Sequence, residues 1–340
     1  MSGRKIISLA LQGGGSHGAF TWGVLDEILA DERLEIEAIS GTSAGSMNAA
    51  VAAYGLEIGG IEQARKLLKQ FWVNVAQIGA LSPIQPTLFD RLTGNHNLDY
   101  SPAFLGFDFL SRMLSPYQFN PLGLNPLREI LLDLIDFERL GRCTRIELYI
   151  SATNVRTCGL KVFHGHEVTA DALLASACLP FMFKAVEIGG DSYWDGGFMG
   201  NPTLYPLIHK CRTQDIVIVQ INPIFRPDVP MTSSAILDRI NEISFNSSLL
   251  HELRGLTSIN RLLKEQHILE SDSGKRHLHL HLIHDDAIMR SLSHASKMNA
   301  DYDFLIGLRD AGRAAARRWL DAHYDCIGRE GSLNLEDLAA

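Results

Sequence analysis

The sequence predicts an α/β fold on a parallel sheet, and three observations within its first 55 residues carry that prediction. Ile6 to Leu11 is an apolar run bounded by glycine, as a buried strand is, and Ala19 to Ala30 then spaces Leu, Ile and Val as a helix does. Ile36 to Ser40 makes the next strand, and a helix of small residues follows from about Ser46 to Tyr54. Strands that alternate with helices are joined by crossovers, and crossovers lay successive strands parallel.

Ile61 to Val75 keeps a helical period, whereas Gly79 to Pro126 carries Pro83, Pro86, Pro102, Pro116, Pro121 and Pro126 among Phe and Leu residues. Such a stretch cannot be one helix. Apolar and broken at once, it forms either a cap over the core or a set of irregular packed connections. Regular structure resumes with Leu127 to Leu134 and the strand Ile146 to Ser151. Phe181 to Asp195 reads as a hairpin turning at Gly189, Gly190 and Asp191, and Ile216 to Ile221 as a further buried strand. Beyond Pro230, apolar residues from Ile236 to Leu263 recur near helical spacing, which suits core packing and also a dimer or membrane-surface face. Ala311 to Trp319 forms a last helix. No repeat, low-complexity tract or linker divides the chain, so one elaborated domain over residues 1–340 is expected.

Composition removes several classes of function. Lys and Arg total 31 against 39 Asp and Glu, a formal charge of -8, so nothing draws the chain to nucleic acid. The five cysteines are odd in number and scattered, with no C-x-x-C pair, and read as reduced thiols. Arg4 and Lys5 before Ile6 to Leu11 superficially resemble an export signal, but the apolar stretch is short and runs into Gly13, Gly14 and Gly15. No run of about 18 apolar residues occurs, so a cytoplasmic protein is the expectation.

Two motifs carry the chemistry. Gly13-Gly14-Gly15-Ser16-His17-Gly18 lies between the first strand and helix and satisfies G-x-G-x-x-G. It suits a dinucleotide site, with Glu35 or Glu37 for the ribose, or an oxyanion hole made from amides at a helix N-terminus. Gly41-Thr42-Ser43-Ala44-Gly45 closes the second strand and opens the second helix, the setting that turns G-x-S-x-G into a nucleophile elbow. Ser43 is then the nucleophile rather than an ordinary N-cap, and the Ala44 N–H can serve the oxyanion. A base is needed, and Asp195 in Trp194-Asp195-Gly196-Gly197 ends a hairpin strand whose apolar flank would desolvate the carboxylate.

Taken together, GGGSHG, GTSAG about thirty residues later, and DGG far downstream resemble the patatin-like phospholipase family. Ser151-Ala152-Thr153-Asn154 and Ser176-Ala177-Cys178-Leu179-Pro180 are similar too, and the likeness spans about residues 5–215. The resemblance implies a three-layer α/β/α sandwich with a mostly parallel central sheet; residues 216–340, which carry no signature of the family, are read as strands and helices packing on that core, with a helical C-terminal extension. It implies a Ser43–Asp195 dyad hydrolysing lipid acyl esters through an acyl-enzyme, oxyanion amides from Gly13, Gly14 and Gly15, and no metal or organic cofactor. The implied partner is a lipid or other acyl ester, with transient contact at a membrane surface; a homo-oligomer is compatible with it. His17 stands where the family usually has Arg or Lys, so positive charge there becomes conditional on pH.

Three rivals remain at this level. Acyl transfer to an alcohol needs only a different second acceptor, a catalytically silent lipid-binding protein needs no dyad, and a nucleotide-dependent oxidoreductase leaves GTSAG and DGG unexplained. His277, His279 and His281 alternate along a strand and invite a metal, yet the outer two would lie about 13 Å apart. A half-solvated strand accounts for them, as it does for His164 and His166.

Overall fold

The structure, a computed structural model, describes residues 4–265 and 277–333. Alternation along the strands sets its layers. In β1 (Lys5–Leu11), Ile7, Leu9 and Leu11 enter one core while Ala10 enters another. The first core packs α1 (Gly18–Ala30), α2 (Ala44–Ala80) and the helices Pro126–Leu134, Ala170–Ser176 and Tyr302–His323 against the sheet. The second holds Leu249, Leu253 and Leu256 of the helix Ser233–Glu265 against the opposite face. Helices therefore cover both faces, giving the expected three-layer α/β/α sandwich.

The remaining strands are β2 (Leu34–Thr42), β3 (Glu147–Asn154), β4 (Leu160–His164), β5 (Val186–Ile188), β6 (Asp191–Asp195), β7 (Asp215–Val219) and β8 (His279–Ile283). Their order is β5-β6-β3-β2-β1-β7-β8, with β4 also paired to β3. β3, β2, β1, β7 and β8 run parallel, and β4, β5 and β6 are antiparallel additions. The sheet thus continues past residue 215 into β8, and the C-terminal helix packs on α1.

The pairing of β3 places the site. Residues Tyr149 to Ser151 pair with both β2 and β4, and Ala152 and Thr153 pair with both β4 and β6. A residue has one partner on each edge, so β2 and β6 share an edge of β3 and meet there end to end. Thr42, the last residue of β2, lies opposite Ser151, and Asp195, the last of β6, lies opposite Ala152. Two strands running toward each other therefore deliver Ser43 and Asp195 to the same point.

Several expectations change in detail. The two helices expected at 46–54 and 61–75 are both present as the two arms of α2, which breaks between them at Gly60, where φ is 72° and ψ -158°; each arm runs longer than expected. Gly79 to Pro126 folds into short helices, of which Pro102–Met113 buries no residue, so it borders the core rather than roofing it. The helix Ser233–Glu265 splits its apolar residues: Leu249 and Leu253 are buried, Ile236, Ile240 and Ile243 exposed. The histidine strand is not half-solvated. His279 and His281 are buried because β8 is covered, and both reach Asp215 Oδ1, at 3.3 and 3.1 Å. His164 and His166 are exposed.

Candidate active site

Ser43 sits in a backbone conformation that L-residues avoid, with φ 52° and ψ -122°, and its side chain makes no capping bond to α2. The turn is tight because strand and helix nearly touch: a Cβ on Gly41 would lie 2.7 Å from the Gly45 carbonyl oxygen, and one on Gly45 would lie 2.3 Å from the Leu11 carbonyl oxygen of β1. The Ser43 N–H donates 2.9 Å to Ser176 Oγ, which fixes the elbow from outside.

Asp195 is fully buried. Its N–H donates 2.8 Å to the Cys178 carbonyl, and its carbonyl accepts 2.8 Å from Thr153 Oγ1. Oδ1 accepts 2.7 Å from the Gly197 N–H. Oδ2 is buried without a partner of good geometry, while the nearby Ser43 side chain acts on the carboxyl as a hydrogen-bond donor would. Burial dominates, and it pushes the Asp195 pKa up to about 7 against the opposing pull of Gly197, Ser43 and Lys297. The Ser176-to-Pro180 segment thereby gains a physical reason: Ser176 holds the Ser43 turn and Cys178 the backbone of Asp195.

A buried amide network anchors the glycine loop. Gln12 Oε1 accepts from the N–H groups of Ile221 and Asn222, each at 2.9 Å, and Gln12 Nε2 donates to the Asn201 carbonyl and to Asn246 Oδ1, both at 3.1 Å. The Gly13 N–H donates 2.6 Å to Asn201 Oδ1. That bond turns the Gly13 amide away from the oxyanion role expected of it. A Cβ on Gly13 would stand 2.6 Å from Ser43 Cβ, so this glycine instead lets the loop close over the elbow. Gly14, Gly15 and Ala44 line the cleft beside Ser43, and their N–H groups have no partner among the described residues.

His17 supplies no charge. Its Nε2 lies 2.7 Å from Ser296 Oγ, whose own proton goes to the Ser293 carbonyl, so the imidazole donates through Nε2–H. Burial, then the nearby Lys297 and His294, hold its pKa well below the ordinary value. The cation of the site comes from elsewhere. Lys297, half-buried against the cleft, donates to Asn222 Oδ1 at 2.9 Å and Asn241 Oδ1 at 3.1 Å, and desolvation lowers its pKa to about 8. Neither Lys297 nor Asn201 belongs to a sequence motif; an isolated Lys or an Asn before Pro gives no signal on its own.

The cleft has a volume of about 380 Å³ and an apolar wall that includes Phe71, Trp72, Val75, Ile130, Leu179 and Phe183. Ser43 and Asp195 lie in that wall. From the 79–126 segment only its ends, Gly79, Ser82, Asn125 and Pro126, reach it, and Phe104 and Phe107 do not. Among the described residues no group of three His, Cys, Asp or Glu side chains could hold a metal ion, and no helix is long and apolar enough to cross a membrane.

An elbow serine and a buried carboxylate on the wall of an apolar cleft have the arrangement of an ester hydrolase. The family model described as patatin-like phospholipase matches residues 9–208, more than half of the chain, and the chain belongs to that family of lipid hydrolases. Among solved structures it is similar to VipD from Legionella pneumophila, at 15% identity and a TM-score of 0.38, over 91% of this chain and 67% of that one. Comparison with curated proteins finds no match.

Proposed function

We propose that the protein is a lipid acyl hydrolase of phospholipase A or esterase type, in which Ser43 is the nucleophile and Asp195 its base. The observation that carries this reading is the buried Asp195 carboxyl, brought by β6 to the end of β2 and poised near neutral pH beside Ser43. Asp195 takes the Ser43 hydroxyl proton as Oγ adds to the ester carbonyl. The amides of Gly14, Gly15 and Ala44 stabilise the oxyanion, with Gly13 bracing the loop. The tetrahedral adduct expels the alcohol, which takes the proton back from Asp195. Water, deprotonated by Asp195, then releases the fatty acid from Ser43. The apolar cleft holds the acyl chain.

In the same reading the chain works as one elaborated domain, since the sheet carries β7 and β8 as well as the motif-bearing strands. Its exposed Leu122, Leu124 and Phe181 adjoin cleft-lining residues and suit transient contact with a lipid surface. The five free cysteines suit a reducing, cytoplasmic setting. The test is labelling by a fluorophosphonate probe, followed by a panel of phospholipids, lysophospholipids, acylglycerols and short esters. Label is expected on Ser43 and turnover is expected to vanish in Ser43→Ala; label elsewhere with activity intact sinks the reading.

A further inference from the structure

We propose that Lys297 is the cation of the catalytic cleft, acting across it on Asp195 and on the oxyanion formed when Ser43 adds to an ester carbonyl. The inference rests on the Ser43 and Asp195 reading above and adds a residue that lies outside the family match, which ends at residue 208.

Geometry comes first. Lys297 lines the same cleft as Ser43 and Asp195, and among the described residues it is the sole Lys or Arg that does. Its ammonium is held by two neutral amide oxygens, Asn222 Oδ1 and Asn241 Oδ1, and forms no ion pair among the described residues. Asn222 also donates 2.8 Å to the Gly13 carbonyl, so one side chain connects the ammonium with the glycine loop. The loop closes directly on the lysine backbone, where a Cβ on Gly15 would lie 2.4 Å from the Lys297 carbonyl oxygen.

A purely structural role explains this arrangement poorly. A half-buried cation without an ion pair carries a desolvation cost that an apolar side chain of similar length would not. Besides the two amide oxygens the ammonium lies 5.4 Å from the centroid of the Phe245 ring, another cleft residue, and among the described residues no anion neutralises it, so its charge is directed toward the cleft.

The groups facing Lys297 fix the sign of the effect. Asp195 faces it from β6, and Asp238 and Glu242 from the helix Ser233–Glu265. Glu242 is already engaged by Arg226 and Arg239. His17 and His294 are the titratable neighbours on the loop side, and burial keeps both neutral, His294 at about 4. Near neutral pH the ammonium is charged, favours the carboxylate form of Asp195, and shares the cleft in which Ser43 would meet an ester carbonyl. Above about pH 8 it loses its proton and that assistance ends.

The experiment is the pH dependence of kcat/KM on a soluble p-nitrophenyl ester for the full chain, Lys297→Met and Lys297→Arg, with Ser43→Ala and Asp195→Asn in parallel and circular dichroism on each. The unmodified chain should show an acid limb near 7 and an alkaline limb near 8. Lys297→Met should lose roughly 10- to 100-fold in kcat/KM at pH 7.5, move the acid limb upward and abolish the alkaline limb. Lys297→Arg should recover most of the rate and carry the alkaline limb out of range. Unchanged limbs and rate in folded Lys297→Met overturn the inference, as does an alkaline limb fixed near 8 in Lys297→Arg, which decides the matter if the Met variant fails to fold. Residual turnover in Ser43→Ala instead brings down the underlying reading and this inference with it; inactive Ser43→Ala and Asp195→Asn beside a wild-type Lys297→Met remove the inference alone.

Discussion

The backbone N–H of Ser43 donates 2.9 Å to the side chain of Ser176, so the strained elbow is held by a hydroxyl 133 positions further along the chain. Ser176→Ala leaves that buried donor unpaired, at a cost of about 1–3 kcal/mol. We expect kcat on a soluble ester to fall roughly 10- to 100-fold with KM little changed, since misplacing the nucleophile affects the reacting geometry more than binding. Ser176→Thr keeps the hydroxyl and should remain close to the parent. Full activity in well-folded Ser176→Ala would show that the elbow needs no external brace.

Asp195→Asn should cost about 10⁴-fold in kcat, the scale for removing a general base, while alanine at His209, His251, His279, His281, His284 or His294 retains substantial activity. The same substitution should stabilise the fold. Burial raises the Asp195 carboxyl from 3.8 to about 7, so between those values the folded chain keeps a proton that the unfolded chain releases. Stability contributed at this position therefore falls as pH rises through that window, and the penalty is complete above 7. At pH 8 Asp195→Asn should melt roughly 2–5 °C higher than the parent, and at pH 4 the gain should be small. Thermal melts at both values test it; an equal shift at both would locate the effect in packing rather than charge.

The cleft wall makes a prediction about chain length. Ile130 lies in it on the helix Pro126–Leu134, whereas Phe104 does not. Ile130→Phe should move the preference among p-nitrophenyl esters toward shorter acyl chains, by roughly 10-fold in the ratio of long to short substrates. Phe104→Ala should leave the ratio as it was. The reverse pattern would place the acyl chain under the 79–126 segment instead.

Chelators should leave turnover intact. His279 and His281 share Asp215, whose Oδ1 also accepts 2.9 Å from the Gly328 N–H, so this polar cluster is satisfied within the protein. Asp215→Asn should lower Tm, with kcat at 25 °C changed less than about threefold, because the cluster lies away from the cleft wall. Loss of activity in chelator, restored by one divalent ion, would contradict this.

Residues 5–54 were legible in the sequence because everything in them is local: strand, glycine loop, helix, strand, elbow and helix follow one another with their own periodicity and turn chemistry. Asp195 was legible as the end of a hairpin strand, though its nearness to Ser43 depends on both strands using one edge of β3, a relation between residues 152 positions apart. The remainder was hidden for the same reason. Ser176, Asn201 and Lys297 act through single hydrogen bonds or charges across the fold, and no local pattern marks a residue whose partner is so distant. The fate of Gly13 was hidden more subtly, since the motif is local but the acceptor that occupies its amide, Asn201 Oδ1, is 188 positions away.

The end-to-end meeting of β2 and β6 makes the carboxylate's orientation a matter of register. β6 is bound to β3 through three pairs, Ala152 with Asp195, Thr153 with Trp194 and Asn154 with Tyr193. Side chains alternate along a strand, so a slip of one residue in this short ladder would turn Asp195 to the opposite face and present Trp194 or Gly196 to the elbow. A chain mispaired in this way would turn Tyr193 out of the first core yet keep its parallel sheet and a correctly formed serine turn. It would be native by most spectroscopic measures and inactive, so a refolded preparation can lose specific activity in proportion to the fraction of hairpins that closed out of step.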